Sequence, residues 1–368
     1  MSQDKPDRRL SDTMEYKMNR CERMAELLPD WFSSHARDLP WRRDREPYHV
    51  WLSEIMLQQT RVEAVKEYYR RFLNELPQIE DLAAVEEDRL LKLWEGLGYY
   101  NRARNLKKAA IKVVEELDGQ FPDTYEGILT LPGIGEYTAG AIGSICYELP
   151  TPAVDGNVLR VYTRLLEDAS NIDKQTTKRR IREELALVYP TGHCGTFTQA
   201  LMELGATVCV PNGAPHCTEC PLREICLAKE HDSWQSYPVR EAKKSRRLED
   251  RTVFILKCGD RVAVRKRPKQ GLLSGMWEFP NVEGHLTEQA AADAVTQWQA
   301  APEQMKMSYQ YTHIFSHVEW RMKAYYLACR QMPEAFQWVT LQELEQGIAL
   351  PSAFRPFAQL LQEKKQEL

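Results

Sequence analysis

The chain has 368 residues, 43% of them hydrophobic and 28% charged, with a formal net charge of −4. That composition belongs to an ordinary globular protein long enough for two domains, and no apolar run approaches the length of a membrane span. The charged opening MSQDKPDRRLSD lacks the apolar stretch of a secretory leader, so the nine cysteines are expected in a reducing cytoplasm and not in a disulfide framework.

Met18, Cys21, Met24 and Leu28 recur at spacings of three and four, which predicts an amphipathic helix over 13–28. Residues 49–75 read as two helices with a break near Gln59–Thr60. Further helical patterns cover 82–94, 102–117, 136–147, 157–167, 174–188 and 196–208, punctuated by Pro40, Pro77, Pro122, Pro132, Pro152 and Pro190. The character changes near residue 234. Ser236 to Arg251 is polar, carries Pro238 and has no apolar face, so it reads as a linker. Thr252–Lys257 and Arg261–Arg265 then form two strand-like runs split by Cys258–Gly259–Asp260, a hairpin signal. Strands are expected at 305–311, 315–328 and 336–339, and helices at 287–299 and 353–364. The fold class is therefore multidomain: an all-helical domain over 1–235, a linker over 236–250 and a mixed α and β domain over 251–368.

Charge argues against a nucleic-acid grip by bulk electrostatics. Residues 1–233 carry 30 Lys and Arg against 38 Asp and Glu, a balance of −8, and the remainder carries 19 against 15, or +4. A DNA binder held by net charge is basic. Contact with nucleic acid must instead come from backbone amides and local clusters such as Arg37/Arg42/Arg43/Arg45, Arg102/Arg104/Lys107/Lys108 and Lys178/Arg179/Arg180/Arg182. Each cluster also has a plain reading as a solvated face.

Leu131 to Asp155 carries the sharpest local signal. In Leu131-Pro-Gly-Ile-Gly135, Gly133 and Gly135 allow a turn to approach another surface closely, and the helix behind them aims free N–H groups at an anion. This is the pattern of a helix-hairpin-helix. Asp155, twenty residues on, precedes a helix and by itself is readable as an N-cap. Cys209, Cys217, Cys220 and Cys226 close the helical half in a loop containing Pro211, Gly213, Pro215 and Pro221. Clustered thiols in a reducing compartment point to a metal. With only one CxxC knuckle and a short CPLREIC arm, the spacing favours a four-iron cluster over zinc.

Hairpin, downstream Asp and four-cysteine loop together resemble the endonuclease III superfamily of DNA glycosylases. The chain is similar to the adenine DNA glycosylase family along nearly its whole length. The matching motifs are LPWR (Leu39–Arg42), WLSEIMLQQT (Trp51–Thr60), WEGLGYYNRARNL (Trp94–Leu106), LPGIGEYTA (Leu131–Ala139), VDGNVLRV (Val154–Val161), GLLSGMWEFP (Gly271–Pro280) and FSH (Phe315–His317). One departure is in the loop, where seven residues separate Cys209 from Cys217 and the family usually has six.

The resemblance implies a helix-hairpin-helix glycosylase domain with one [4Fe-4S] cluster on the loop 209–226, followed by a Nudix-like 8-oxoguanine recognition domain. It implies removal of adenine opposite 8-oxoguanine or guanine in double-stranded DNA. The enzyme would be a cytoplasmic, bacterial-type, nucleoid-associated monomer with no membrane partner. Cleaving an N-glycosidic bond passes through an oxocarbenium-like state, so an acid and an ionised carboxylate are needed. Glu54, on a helix rich in apolar residues, is expected to be raised in pKa by burial and to serve as the acid. Asp155, at a helix N-terminus, is expected to stay ionised under the helix dipole. Asn157 would orient it. Tyr137 occupies the position where strand-nicking relatives place a Lys, and no Lys lies between 113 and 173, so base removal without lyase activity is expected. Trp41, Arg42, Leu57 and Gln199 match the adenine pocket, and Gln59 and Tyr99 match wedging residues beside the orphaned base. Phe315, Ser316 and His317 match the loop that reads oxidised guanine. Residues 281–299 lack the Glu-rich helix of a working Nudix hydrolase, with only Glu283, Glu288 and Asp293 present. A silent damage-binding protein, a nucleotide-pool hydrolase and a thymine- or pyrimidine-directed glycosylase stay open as alternatives.

Overall fold

A computed structural model describes residues 8–242 and 245–363. Residues 1–7, part of the charged opening read in the sequence, and Lys243–Lys244 of the expected linker lie outside the described residues. Helices run in chain order as α1 (Arg8–His35), α2 (Pro47–Leu57), α3 (Val62–Glu75), α4 (Ile79–Ala84), α5 (Glu87–Leu93), α6 (Asn101–Glu116), α7 (Tyr125–Leu129), α8 (Glu136–Tyr147), α9 (Gly156–Leu166), α10 (Gln175–Ala186), α11 (Cys194–Thr207) and α12 (Leu227–Glu230). Strands β1 (Arg247–Cys258), β2 (Arg261–Lys266), β3 (Trp277–Glu278) and β4 (Asn281–Glu283) follow. After them come α13 (Glu288–Gln297), β5 (Pro302–Ile314), β6 (Val318–Cys329), β7 (Gln337–Thr340), α14 (Leu341–Gly347) and α15 (Arg355–Glu363). None of the described helices is long and apolar enough to cross a membrane.

Two compact units emerge. Among the described residues the first takes in 8–83 and 105–242, and the second takes in 84–104 and 245–363. The first is helical. Its core joins Met24 and Leu28 of α1, Val158 and Tyr162 of α9, and Phe197, Leu201 and Leu204 of α11. The spacing of three and four that predicts α1 is thus the face it buries. Two glycines set close approaches. Gly133, at φ +78°, turns the chain between α7 and α8, and a Cβ there would meet the Asn105 side chain at 2.5 Å. Gly205 on α11 would bring a Cβ to 2.5 Å from the Cβ of Asn157. Glycine at 205 therefore lets α11 press against the first turn of α9.

The second unit is a sheet of order β3-β2-β1-β6-β5, with β4 pairing β1 and β7 pairing β2. β1 runs parallel to β6 from the pair Arg247–Val318 to Lys257–Ala328, and β5 and β6 form an antiparallel hairpin. Both faces are covered. Val253 and Ile255 pack with Phe354, Phe357 and Leu361, and Phe254 and Leu256 pack with Ala291 and Val295 of α13. A strand buried on both faces explains why VFIL reads as a continuous apolar run without alternation. The segment 84–104 joins this unit through Lys92 Nζ on the Ile348 carbonyl (2.9 Å), Glu95 accepting from the Leu350 amide (3.0 Å) and a Lys266–Asp88 ion pair (3.1 Å).

Several boundaries differ from the sequence reading. The pattern at 82–94 is two helices, because Glu86 takes an extended conformation (φ −63°, ψ 142°) between α4 and α5. β1 begins at Arg247, inside the segment read as a linker, since parallel pairing to β6 uses backbone groups and needs no apolar side chains. The strand expected at 315–328 begins at Val318, leaving Phe315–His317 in the turn between β5 and β6. The short α7, α12, α14, β3 and β4 had no periodic signal long enough to predict them.

Candidate active site

An open pocket of about 540 Å³ in the helical unit gathers Trp41, Arg42, Glu54, Leu57, Gln59, Tyr137, Asp155, Asn157 and Gln199 into one wall. These residues span 159 positions of sequence, from 41 to 199, and come from five elements. A short 3-10 turn (Pro40–Arg42) supplies Trp41 and Arg42, and α2 supplies Glu54 and Leu57. Tyr137 stands in the first turn of α8, Asp155 caps α9, and Gln199 lies on α11. Gln59, exposed and at φ +58°, marks the break between α2 and α3.

Glu54 is 6% exposed because α2 is buried nearly all round. The Tyr137 hydroxyl donates to its Oε2 at 2.6 Å. Burial raises the carboxyl from its ordinary 4.5 to about 7, against the lowering by the Tyr137 hydrogen bond and by Arg42, while Asp155 adds to the rise. The sequence-based expectation of an acid near neutrality therefore has a physical cause.

Asp155 is an N-cap and more. Its Oδ1 accepts from the amides of Asn157 and Val158, each at 2.8 Å, and its Oδ2 accepts from Asn157 Nδ2 at 2.8 Å. These donors favour the ionised form, as the helix dipole does. Burial outweighs them, and the net direction is upward from 3.8. The two carboxylates still differ. Asp155 has three N–H donors and Glu54 has one hydroxyl, so a single proton shared between them belongs on Glu54. Asn157 in turn accepts from buried Arg160 at 2.8 Å, and Arg160 reaches the carbonyls of Gly205 and Cys209, each at 2.7 Å.

Trp41 is 7% exposed and meets Tyr69 edge-on at 5.6 Å, so it packs as well as lines the pocket. Glu203, Arg37 and Met202 also line it and were missed as site residues. The available signal for Glu203 was a lone carboxylate on an apolar helix one turn after Gln199, the same pattern that drew attention to Glu54. No lysine lines the pocket among the described residues.

The hairpin is formed by α7, a turn through Gly133 and α8, whose N-cap Gly135 offers no side chain to its amides. In the second unit, Tyr99 sits at φ +49° and is 47% exposed, while neighbouring Tyr100 is 5% exposed. The Tyr99 and Ser316 hydroxyls are hydrogen-bonded. Phe315 packs against His313 and Trp320 at 4.6 and 5.0 Å, and Ser316 and His317 are exposed at the turn. No group of three or more His, Cys, Asp or Glu side chains among the described residues is arranged to hold a single metal ion.

Cys209, Cys217, Cys220 and Cys226 line one void together with Arg164. Arg164 donates to Cys209 Sγ at 3.3 Å, and its carbonyl lies 3.5 Å from Cys226 Sγ. Between Cys209 and Cys217, Pro211–Ala214 is exposed, Gly213 adopts φ +77°, and His216 N closes the base of the loop on the Val208 carbonyl at 2.9 Å. Four thiols round one void are a donor set that fits an iron–sulfur cluster.

Residues 52–187 match the HhH-GPD superfamily of base excision DNA repair proteins, and 252–360 match the NUDIX domain. Curated adenine DNA glycosylases of Mus musculus and Homo sapiens are 33% and 32% identical, over 86% and 90% of this chain and 73% of each relative. That of Arabidopsis thaliana is 35% identical over 84% of this chain and 57% of its own. Among solved structures, a thermostable thymine-DNA glycosylase superposes with a TM-score of 0.52 at 28% identity, covering 58% of this chain and 98% of that one. A trapped endonuclease III–DNA covalent intermediate superposes at 0.50 and 22% identity over the same 58%, and shares the fold.

Proposed function

We propose, for a chain that belongs to the adenine DNA glycosylase family of the HhH-GPD base excision repair superfamily, a monofunctional hydrolase that releases adenine opposite 8-oxoguanine or guanine. The carrying observation is the pair Glu54 and Asp155 in one pocket, with a tyrosine hydroxyl on Glu54 where a lyase would need an amine. An adenine extruded from the duplex enters the pocket, where Trp41 and Leu57 offer flat and apolar contacts and Arg42 and Gln199 offer donors to its edge. Glu54 passes its proton to a ring nitrogen of the base. The C1′–N9 bond breaks with its electrons going to adenine, and the sugar takes on oxocarbenium character. The Asp155 carboxylate, held by Asn157, faces that cation. A water adds at C1′ and returns a proton to Glu54, so the enzyme emerges unchanged and an abasic sugar remains.

Cys209, Cys217, Cys220 and Cys226 would hold one [4Fe-4S] cluster. When bound, it would supply sulfur–iron bonds that cross-link the loop 209–226 to itself, starting from the thiol that follows α11. Ser316, with Tyr99 beside it, would read the partner base at its edge, and the exposed Gln59 and Tyr99 suit the wedging that base extrusion requires. Single-turnover adenine release from duplexes carrying A opposite 8-oxoguanine, G or T tests the reading. Release from the first two and not the third is expected. Equal release from all three, or thymine release from a T·G duplex instead, refutes it.

A further inference from the structure

Glu203, on α11, is a carboxylate with no exposed side-chain surface in the wall of the pocket, and the reaction as drawn gives it no part. Four donors converge on it. Arg37 contributes its backbone amide to Oε1 at 3.1 Å, Nε to Oε1 at 2.7 Å and Nη2 to Oε2 at 2.8 Å. Arg42 contributes Nη2 to Oε2 at 2.7 Å, and its Nη1 is taken by the Arg37 carbonyl at 3.2 Å. Burial would raise this carboxyl, but the two guanidinium groups hold it at about 2, so it is ionised throughout the working range. A buried charge is retained only when it is paired and hydrogen-bonded. Here one negative and two positive charges leave a net of +1 in the pocket wall.

We propose that Glu203 is a positioning residue for base release: it fixes the Arg42 guanidinium in the pocket wall and cancels part of the positive charge beside Glu54, which keeps that acid protonated. The inference rests on the reading of Glu54 as the acid. Arg42 is 15% exposed, and its cation also lies 5.1 Å from the Phe32 ring. The groups acting on Glu54 are Tyr137 from α8, Asp155 from the cap of α9 and Arg42 from the 3-10 turn, and Cys146 on α8 also feels its charge. Of these, only Arg42 is cationic, and Glu203 is the carboxylate bound to it.

The test is the pH profile of single-turnover adenine release in wild type, Glu203→Gln, Arg37→Gln and the double variant. Glu203→Gln keeps an acceptor for Arg42 but raises the local charge to +2. The alkaline limb should move about half to one pH unit toward acid, roughly a three- to tenfold loss of rate at about pH 8. Arg37→Gln lowers the local charge to 0 and should move the limb the other way, and the double variant should return it to the wild-type position. Limbs that superimpose, or single variants that shift in the same direction, overturn the proposal and leave Glu203 a packing residue. Should Glu203→Gln fail to fold, the direction of the Arg37→Gln shift alone decides, since that side chain is 37% exposed. An inert Glu54→Gln with unmoved limbs refutes this inference only, and an active Glu54→Gln refutes the parent reading.

Discussion

Replacing Glu54 by Gln probes the acid and its burial at once. Glutamine keeps an acceptor for the Tyr137 hydroxyl, which donates at 2.6 Å, and removes the titrating proton. In the folded wild type the carboxyl sits at about 7 and in the unfolded chain near 4.5. The sign is that of a raised group. Stability associated with the protonated form is fully present below 4.5 and is lost as pH climbs through 7. The gap corresponds to about 3 kcal/mol. Groups that do not feel the Glu54 charge titrate alike in both proteins and cancel in the comparison. Glu54→Gln should therefore match wild type in stability near pH 5 and exceed it by about 3 kcal/mol near pH 8.5, roughly 6–12 °C in Tm for a unit of this size. Calorimetry or circular dichroism at the two pH values reads the difference. Adenine release by the wild type should fall as pH rises through about 7, and the variant should release none while still binding duplex. A Tm gap that does not change with pH, or a wild-type rate flat from about pH 6 to about pH 8.5, would refute the elevated acid.

Three further expectations follow from the same geometry. Asp155→Asn should abolish release yet cost only about 1 kcal/mol of stability, because an amide oxygen still caps α9; a large thermal loss with retained activity would make Asp155 a cap alone. Tyr137→Lys places an amine where the hydroxyl meets Glu54 and should allow borohydride trapping of a covalent complex with strand nicking. No trapped species would count against the Schiff-base argument. The purified protein should be brown, with absorbance near about 400 nm and four irons per chain at most; Cys220→Ser should bleach it, and stoichiometric zinc in place of iron would overturn the cluster.

Much of the site was legible because its chemistry depends on residue type. A carboxylate in SEIML and a Tyr where an amine would serve a lyase can be recognised without coordinates. Glu203 offered the signal of a lone carboxylate on an apolar helix and Arg37 stood in a basic cluster, but their pairing in the pocket wall was not legible. Their meaning lies in sharing one buried carboxylate across 166 positions of sequence. The turn at 315–317 was placed only approximately, since Phe315 was read as the start of a strand and is instead packed on Trp320 ahead of it.

What the sequence determined by itself was local and periodic. It carried the helices of the first unit, the buried strand VFIL, the hairpin glycines and the four thiols, because each depends on near neighbours. Only tertiary structure decided three things: which of Tyr99 and Tyr100 faces outward, that 84–104 clusters with the second unit, and that burial raises Asp155 despite its cap. All three depend on desolvation and packing by residues distant in sequence, which no local pattern records.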